Sequence, residues 1–288
     1  HRWKIKDVYD NSQFLRDDRF DLAVLLPNSF ESALTSFLTR IPRRIGYNKD
    51  VRGLLLTDPI AVPEWKDRRH EVFYYLNLAA EAQLRVLSRD TITGVFPDIS
   101  LDLSQERREA IWPFLRRHGI DTSKALIALG VGSTNSRAKR WPAENYARVN
   151  DRLQEALELN VALVGSEADN GVAMQVKDLC RRPPVNLCGK TDLAQVVALL
   201  AESNLLISND MGLAHIAAAV GTRTIVIFGP TNPETTRPFS GDALVIREPV
   251  ECSPCMLRDC PIDHRCMTRI SADRVFQAAI DLMSENSE

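Results

Sequence analysis

Four stretches of this 288-residue chain combine small, hydroxylic and charged residues in a way that suits anion or nucleotide binding. The first, Gly130-Val131-Gly132-Ser133-Thr134-Asn135-Ser136-Arg137-Ala138-Lys139-Arg140-Trp141-Pro142, opens with glycines and turns basic. Small residues let a backbone approach a ligand closely, and hydroxyls with Lys or Arg match phosphate oxygens. A surface loop with solvated cations fits the same residues. The Walker spacing GxxxxGK[ST] is absent, and so is the dinucleotide fingerprint GxGxxG. In the second stretch, Asn209-Asp210-Met211-Gly212-Leu213-Ala214-His215, Asp210 suits a helix N-cap and Gly212 the first turn. Free N–H groups and the positive end of the helix dipole would make an anion site there. His215 either faces back toward that loop or packs as a core histidine, and Asp210 either binds or only caps. Gly165-Ser166-Glu167 offers a carboxylate that could accept from ribose hydroxyls, and Gly229-Pro230-Thr231-Asn232-Pro233-Glu234 is a run of turn-forming residues.

Two further clusters stand apart. Cys252-x2-Cys255-x4-Cys260-x5-Cys266 encloses His264. Four thiols and an imidazole could hold a structural zinc or an iron–sulfur cluster. The paired CxxC knuckles of a zinc ribbon are missing, and a compact loop of free or redox-sensitive thiols fits equally. Near the start, Arg40, Arg43, Arg44, Lys49 and Arg52 place five cations within thirteen residues. They read either as a solvated basic face or as forks for phosphate or carboxylate groups of an acceptor.

The elements that must hold these loops follow from apolar periodicity. Strands are expected over 20–26, 53–57, 125–129, 160–164, 185–187, 205–208 and 223–228. Helices are expected over 29–40, 69–82, 105–118, 143–157, 168–180, 193–201 and 212–220, with residues 97–104 extended. Strands alternating with helices of this length indicate right-handed βαβ crossovers and a doubly wound α/β sheet. In such sheets ligands bind beyond the carboxyl ends of the strands. All four small-residue loops fall there. The pattern restarts near 119–123, which divides the chain into domains 1–120 and 121–288, the second closing with the cysteine-rich loop and a final helix.

Composition removes several classes. The chain is 44% hydrophobic and 26% charged with a net charge of −2, an ordinary globular balance. Its apolar runs are far shorter than the roughly 20 residues that span a bilayer. With 36 basic against 38 acidic residues, a nucleic-acid-binding surface is not favoured. No secretory signal follows His1, and the cysteines do not form a secreted framework, which suggests a reducing cytoplasmic setting.

The motifs Val24-Leu25-Leu26-Pro27-Asn28-Ser29-Phe30-Glu31-Ser32-Ala33, Ile41-Pro42-Arg43-Arg44-Ile45-Gly46-Tyr47, Ala138-Lys139-Arg140-Trp141-Pro142, Ser208-Asn209-Asp210-Met211-Gly212-Leu213-Ala214-His215 and Phe228-Gly229-Pro230-Thr231 occur in this order. Together they resemble the ADP-heptose:lipopolysaccharide heptosyltransferases of glycosyltransferase family 9, and more the heptosyltransferase II branch than the I branch. The terminal Cys-Ser-Pro-Cys segment also belongs to the pattern. The resemblance implies a GT-B fold, with an acceptor-binding and a nucleotide-sugar-binding Rossmann-like domain facing each other across a cleft. It implies inverting transfer of L-glycero-D-manno-heptose from ADP-heptose to the inner core of a lipid A precursor, with no metal and no cofactor. It also implies a cytoplasmic enzyme working peripherally at the inner membrane of a Gram-negative bacterium.

By this similarity Thr134, Lys139, Asp210, Met211, Gly212 and His215 form the ADP-heptose site, with Lys139 catalytic, Glu167 toward ribose and Thr191 near adenine. Arg43 and Arg44 are the acceptor-side candidates. Met211 stands where relatives often have Ser or Thr, so a hydroxyl contact is lost there. The family also opens with a strand and a glycine-rich loop bearing an aspartate thought to be the general base. No carboxylate here matches it. The expected missing segment is roughly 60 residues of short βα units, which leaves open whether the chain turns over as it stands. Two alternatives remain: a relative using another nucleotide sugar, and a non-catalytic nucleotide- or metal-binding fragment.

Overall fold

The computed structural model describes residues 5–134 and 136–284. His1 and Asn135, both part of the expectations above, lie outside the described residues. The chain divides into two compact units, His1–Pro97 and Asp98–Glu288.

The first unit runs α1 (Ile5–Arg16), β1 (Leu22–Leu25), α2 (Phe30–Leu38), β2 (Arg43–Tyr47), β3 (Asp58–Ile60) and α3 (Glu71–Leu87). Its sheet is parallel in the order β1-β2-β3. Helix α2 starts where Ser29 accepts from the Ser32 N–H, an N-cap that the sequence supplies directly after the strand. The central strand, β2, is the arginine-rich stretch that carries no strand pattern. Its Ile45, Gly46 and Tyr47 are buried while Arg43 and Arg44 are half-buried. The expected strand over 53–57 is instead a 3-10 turn, Arg52–Leu55, entered through Val51 at φ 64. Strand pairing resumes only at Asp58, opposite Ile45. Ile45, Tyr47, Ile60, Tyr74, Leu78 and Ala82 form the unit's core, with Tyr47 and Tyr74 stacked at 4.1 Å between ring centroids.

The second unit runs α4 (Gln105–Glu109), α5 (Trp112–Arg117), β4 (Leu126–Gly130), α6 (Ala143–Leu157), β5 (Asn160–Leu163), α7 (Asn170–Leu179), β6 (Val185–Asn186) and α8 (Leu193–Ala201). It continues with β7 (Leu205–Asn209), α9 (Gly212–Ala219), β8 (Thr224–Phe228), α10 (Pro233–Thr236), β9 (Ala243–Arg247), α11 (Arg265–Thr268) and α12 (Ala272–Ser284). All pairs are parallel, in the order β6-β5-β4-β7-β8-β9. The order reverses around β4, the topological switch where ligand crevices open in such sheets. Alternate residues of each strand enter different cores. Ile127, Leu129, Ile207, Ile225 and Ile227 join residues of α6, α7 and α12 on one face. Leu126, Ala128, Leu206, Val226 and Phe228 join residues of α5, α8 and α9 on the other. Burial of both faces is why the strands read as continuous apolar runs.

Two boundaries differ from expectation. Residues 105–118 form two short helices, because Pro113, at the start of α5, lacks the N–H that would continue the first. The domain boundary falls after Pro97 rather than at 120. Ile111, Phe114, Leu115 and Ile120 are buried in the core of the second unit, and the Leu101 N–H donates to Ala219 O at 2.6 Å.

Candidate functional site

At the carboxyl end of β7 sits Asn209, fully buried. Its Nδ2 donates to Val131 O and Gly132 O, both at 3.0 Å. Its Oδ1 accepts from Trp141 N at 3.0 Å and Tyr146 Oη at 3.1 Å. One side chain therefore fixes both ends of the loop after β4. The Tyr146 phenol is held protonated by burial, its pKa pushed far up. Gly132 permits the close packing here, since a Cβ on it would lie 2.0 Å from Asp169 Oδ1.

Lys139 and Asp210 meet above this staple. Lys139 Nζ lies 2.7 Å from Asp210 Oδ2, and Thr231 Oγ1 donates to that same oxygen at 2.7 Å. The Asp210 side chain is 6% exposed and that of Lys139 26%. Three loops, after β4, β7 and β8, thus converge on one carboxylate oxygen. The ammonium group has three donors, so engaging Asp210 leaves others for a ligand. Asp210 does not cap α9. Met211 occupies the N-cap position and makes no side-chain cap bond, because the Asp210 carboxylate is drawn to Lys139 and Thr231. The first N–H groups of α9 are left without a side-chain acceptor, with Gly212 as the first helical residue and His215 half-buried in the same turn.

The remaining predicted residues line the neighbouring strand ends. Thr134 is exposed, with Oγ1 3.5 Å from Ser166 Oγ. Glu167 is exposed and its side chain passes over Gly189, whose φ of +74 and lack of a Cβ both allow that path. Ser166 and Asp169 close a capping box beneath it. Thr191 Oγ1 and Asp169 Oδ1 are buried without a hydrogen-bond partner among the described residues. Arg43 and Arg44 lie in the first unit, at the amino end of β2. Arg43 pairs with Asp58 at 3.0 Å and donates to Arg85 O, which holds the Asp58 carboxyl below its usual range. Arg44 donates to Leu55 O and Ile41 O and lies over the Phe37 ring. Both guanidiniums are therefore engaged within their own unit.

The cysteine-bearing segment has a mechanical place that its spacing did not suggest. The Ala138 N–H donates to Arg258 O at 2.9 Å, His264 Nε2 lies 2.6 Å from Ala138 O, and Arg137 pairs with Asp259 at 2.6 Å. At its other end the Cys255 and Met256 N–H groups donate to Pro230 O. The segment straps the Lys139 loop to the Thr231 loop. Among the described residues no three His, Cys, Asp or Glu side chains are grouped as metal ligands. Asn209 and Thr231 fell within the candidate stretches and His264 within the possible metal cluster, but nothing in the sequence assigned any of them its structural role, because their partners are distant in the chain.

A doubly wound nucleotide-type sheet with a cation, a carboxylate and an uncapped helix start at its switch point defines the class of site, and sequence comparison supplies the family. The profile described as glycosyltransferase family 9 (heptosyltransferase) matches residues 9–265, and the chain belongs to that family. It is 34% identical over 251 residues to the lipooligosaccharide heptosyltransferase 2 of Haemophilus ducreyi, covering 85% of this chain and 70% of that protein. It is 30% identical over 242 residues to the lipopolysaccharide heptosyltransferase 2 of Escherichia coli, covering 81% and 66%. The solved structure of the E. coli ADP-heptose lps heptosyltransferase II superposes with a TM-score of 0.80 at 27% identity, over 99% of this chain and 82% of that one. The E. coli heptosyltransferase WaaC with ADP shares the fold, with a TM-score of 0.61 at 17% identity over 96% and 78%.

Proposed function

We propose that the protein transfers L-glycero-D-manno-heptose from ADP-heptose, with inversion, to the inner core of a lipopolysaccharide precursor at the heptosyltransferase II step. The observation that carries this reading is the junction of Lys139, Asp210 and Thr231 beside the uncapped start of α9. When the sugar–phosphate bond breaks, negative charge grows on the departing diphosphate. Lys139 Nζ and the N–H groups of Gly212 and its neighbours are preorganised donors for that charge, and they lower the barrier to the extent that they bind the transition state better than the substrate. Asp210 holds the Lys139 ammonium in place, and Thr231 holds Asp210. Thr134 and His215 complete the phosphate side, and Met211 contributes backbone only. In this reading Glu167, whose side chain lies over Gly189, accepts from ribose hydroxyls, and Thr191 lies toward the adenine.

Arg43 and Arg44 stay in the reading as acceptor-side cations. Two hydrogen bonds tie each side chain to its own unit, and their charges act on an acceptor from there. The acceptor's lipid anchor brings the reaction to the inner face of the inner membrane. No helix among the described residues is long and apolar enough to cross one.

Lys139→Ala is expected to lower kcat by about 10²–10³ in a transfer assay with ADP-heptose, the usual loss for a preorganised charge-stabilising donor. Turnover at the wild-type rate would remove Lys139 from the chemistry. Calorimetry with ADP and UDP tests the donor separately, and a preference for UDP would overturn the heptose reading.

A further inference from the structure

A second polar cluster lies in the first unit, beyond the carboxyl end of β1, and it is built around Arg52, one of the five cations of the basic stretch. Arg52 is fully buried, yet among the described residues it makes no ion pair. Its donors go to neutral oxygens only: Nε to Tyr47 O at 2.8 Å, Nη1 to Pro27 O and Ser32 Oγ, and Nη2 to Asn28 Oδ1 at 3.2 Å. A fully buried cation without a directly contacting carboxylate is unusual, because buried cations are normally paired, and Asp50 stabilises this one only from a distance. Gly46 makes room for it, since a Cβ there would lie 3.2 Å from Arg52 Nη2.

The position of this cation fixes the orientation of Asn28. Arginine has donors and no acceptor, so the atom of the Asn28 amide that faces Nη2 must be oxygen. Tyr74 Oη donates to that same oxygen at 3.3 Å. The Tyr74 ring is itself held by stacking on Tyr47, whose hydroxyl donates to Tyr74 O at 2.7 Å. With Oδ1 doubly engaged, the two N–H donors of Nδ2 turn away from the cluster. Among the described residues they donate to nothing. Asn28 is half-buried and lies three residues beyond the end of β1, in the region where parallel α/β sheets present ligand-binding groups.

We infer that Asn28 is an acceptor-positioning residue, its Nδ2 donating to an oxygen of the acceptor glycan while Arg52 and Tyr74 hold the amide in register. The inference deepens the heptosyl-transfer reading and rests on it. An amide in free rotation would offer oxygen or nitrogen indifferently and lose rotational entropy on binding. Here the orientation is set before the acceptor arrives, which is the economy of preorganisation. The Arg52 charge behind the amide polarises it and favours an acceptor oxygen that carries negative charge, such as a sugar carboxylate.

Asn28→Asp separates positioning from structure. The new carboxylate keeps the shape and gives Arg52 a direct ion pair, so the variant should be folded with a thermal midpoint no lower than wild type. It has no N–H to offer and presents negative charge instead. With the full chain and a deacylated inner-core acceptor, kcat/KM for the acceptor is expected to fall by about tenfold or more, while KM for ADP-heptose stays within about twofold. Tyr74→Phe removes one of the two donors to Oδ1 and should give a smaller loss confined to the acceptor. An unchanged acceptor kcat/KM in Asn28→Asp overturns the inference and leaves the heptosyltransferase reading standing, as does an equal loss toward both substrates. A wild-type protein that transfers no heptose to any inner-core acceptor overturns the functional reading, and this inference with it.

Discussion

Asn209 links Val131 O and Gly132 O to Trp141 N and Tyr146 Oη. Asn209→Ala would leave buried backbone groups at both ends of the Lys139 loop without partners, while Tyr146 keeps Gly130 O at 3.2 Å. The expected loss is about 2–4 kcal/mol of stability, read from the urea midpoint at unchanged m-value. Weaker ADP binding should accompany it, since the loop it staples carries Lys139. At this scale the sequence was legible where a residue's chemistry and its place at a strand end coincide. Lys139 and Asp210 stood out for that reason. Thr231 read only as part of a turn, and Asp210 as a residue that either binds or only caps. Their actual roles depend on a shared oxygen contributed by chain segments far apart, and no periodicity encodes that.

Among the elements, the strap from Cys252 to Cys266 is the least legible. Cysteine spacing drew attention to thiols, whereas its backbone groups, Asp259 and His264 do the holding. His264→Ala deletes the contact to Ala138 O while leaving Lys139 untouched. Faster hydrogen exchange at the Ala138 amide and a lower kcat, with the acceptor KM unchanged, are the expected results. Wild-type exchange at Ala138 would show that Arg258 O alone suffices. Strand β2 escaped notice because its buried residues are only Ile45, Gly46 and Tyr47, flanked by arginines whose charges are neutralised by Asp58 or satisfied by carbonyls. In the second unit β4, β7 and β8 were legible because both faces of the sheet are covered there, leaving apolar runs, whereas the partly exposed β9 was not expected.

On the scale of the whole molecule, alternation of strands and helices was enough for the α/β class, and the ordered motifs for the family. The division into units was misplaced because a helix break and an extended stretch look alike in sequence whichever core they serve. The free cysteines offer a way to follow the second unit. Burial, reinforced by the charges of Asp169 and Glu167, pushes the Cys188 thiol up to about 12, and burial with Asp151 does the same for Cys180. Cys252 and Cys255 are exposed. At pH 8 an alkylating reagent should therefore modify the exposed pair first, because the thiolate is the reactive form. Mass spectrometry should find Cys188 modified only at denaturant concentrations that unfold the unit. Early modification of Cys188 would show that the β6 region opens locally. The strap also sets an order in time. Ser136 and Arg258, which it joins, are 122 residues apart. At the usual pace of about 5–20 residues per second, the ribosome has finished the Lys139 loop roughly 6–24 s before it makes the carbonyl that loop requires. Lys139 is thus fixed only after Arg258 has been made, and a nascent chain stalled before Arg258 would carry the loop's residues without their geometry.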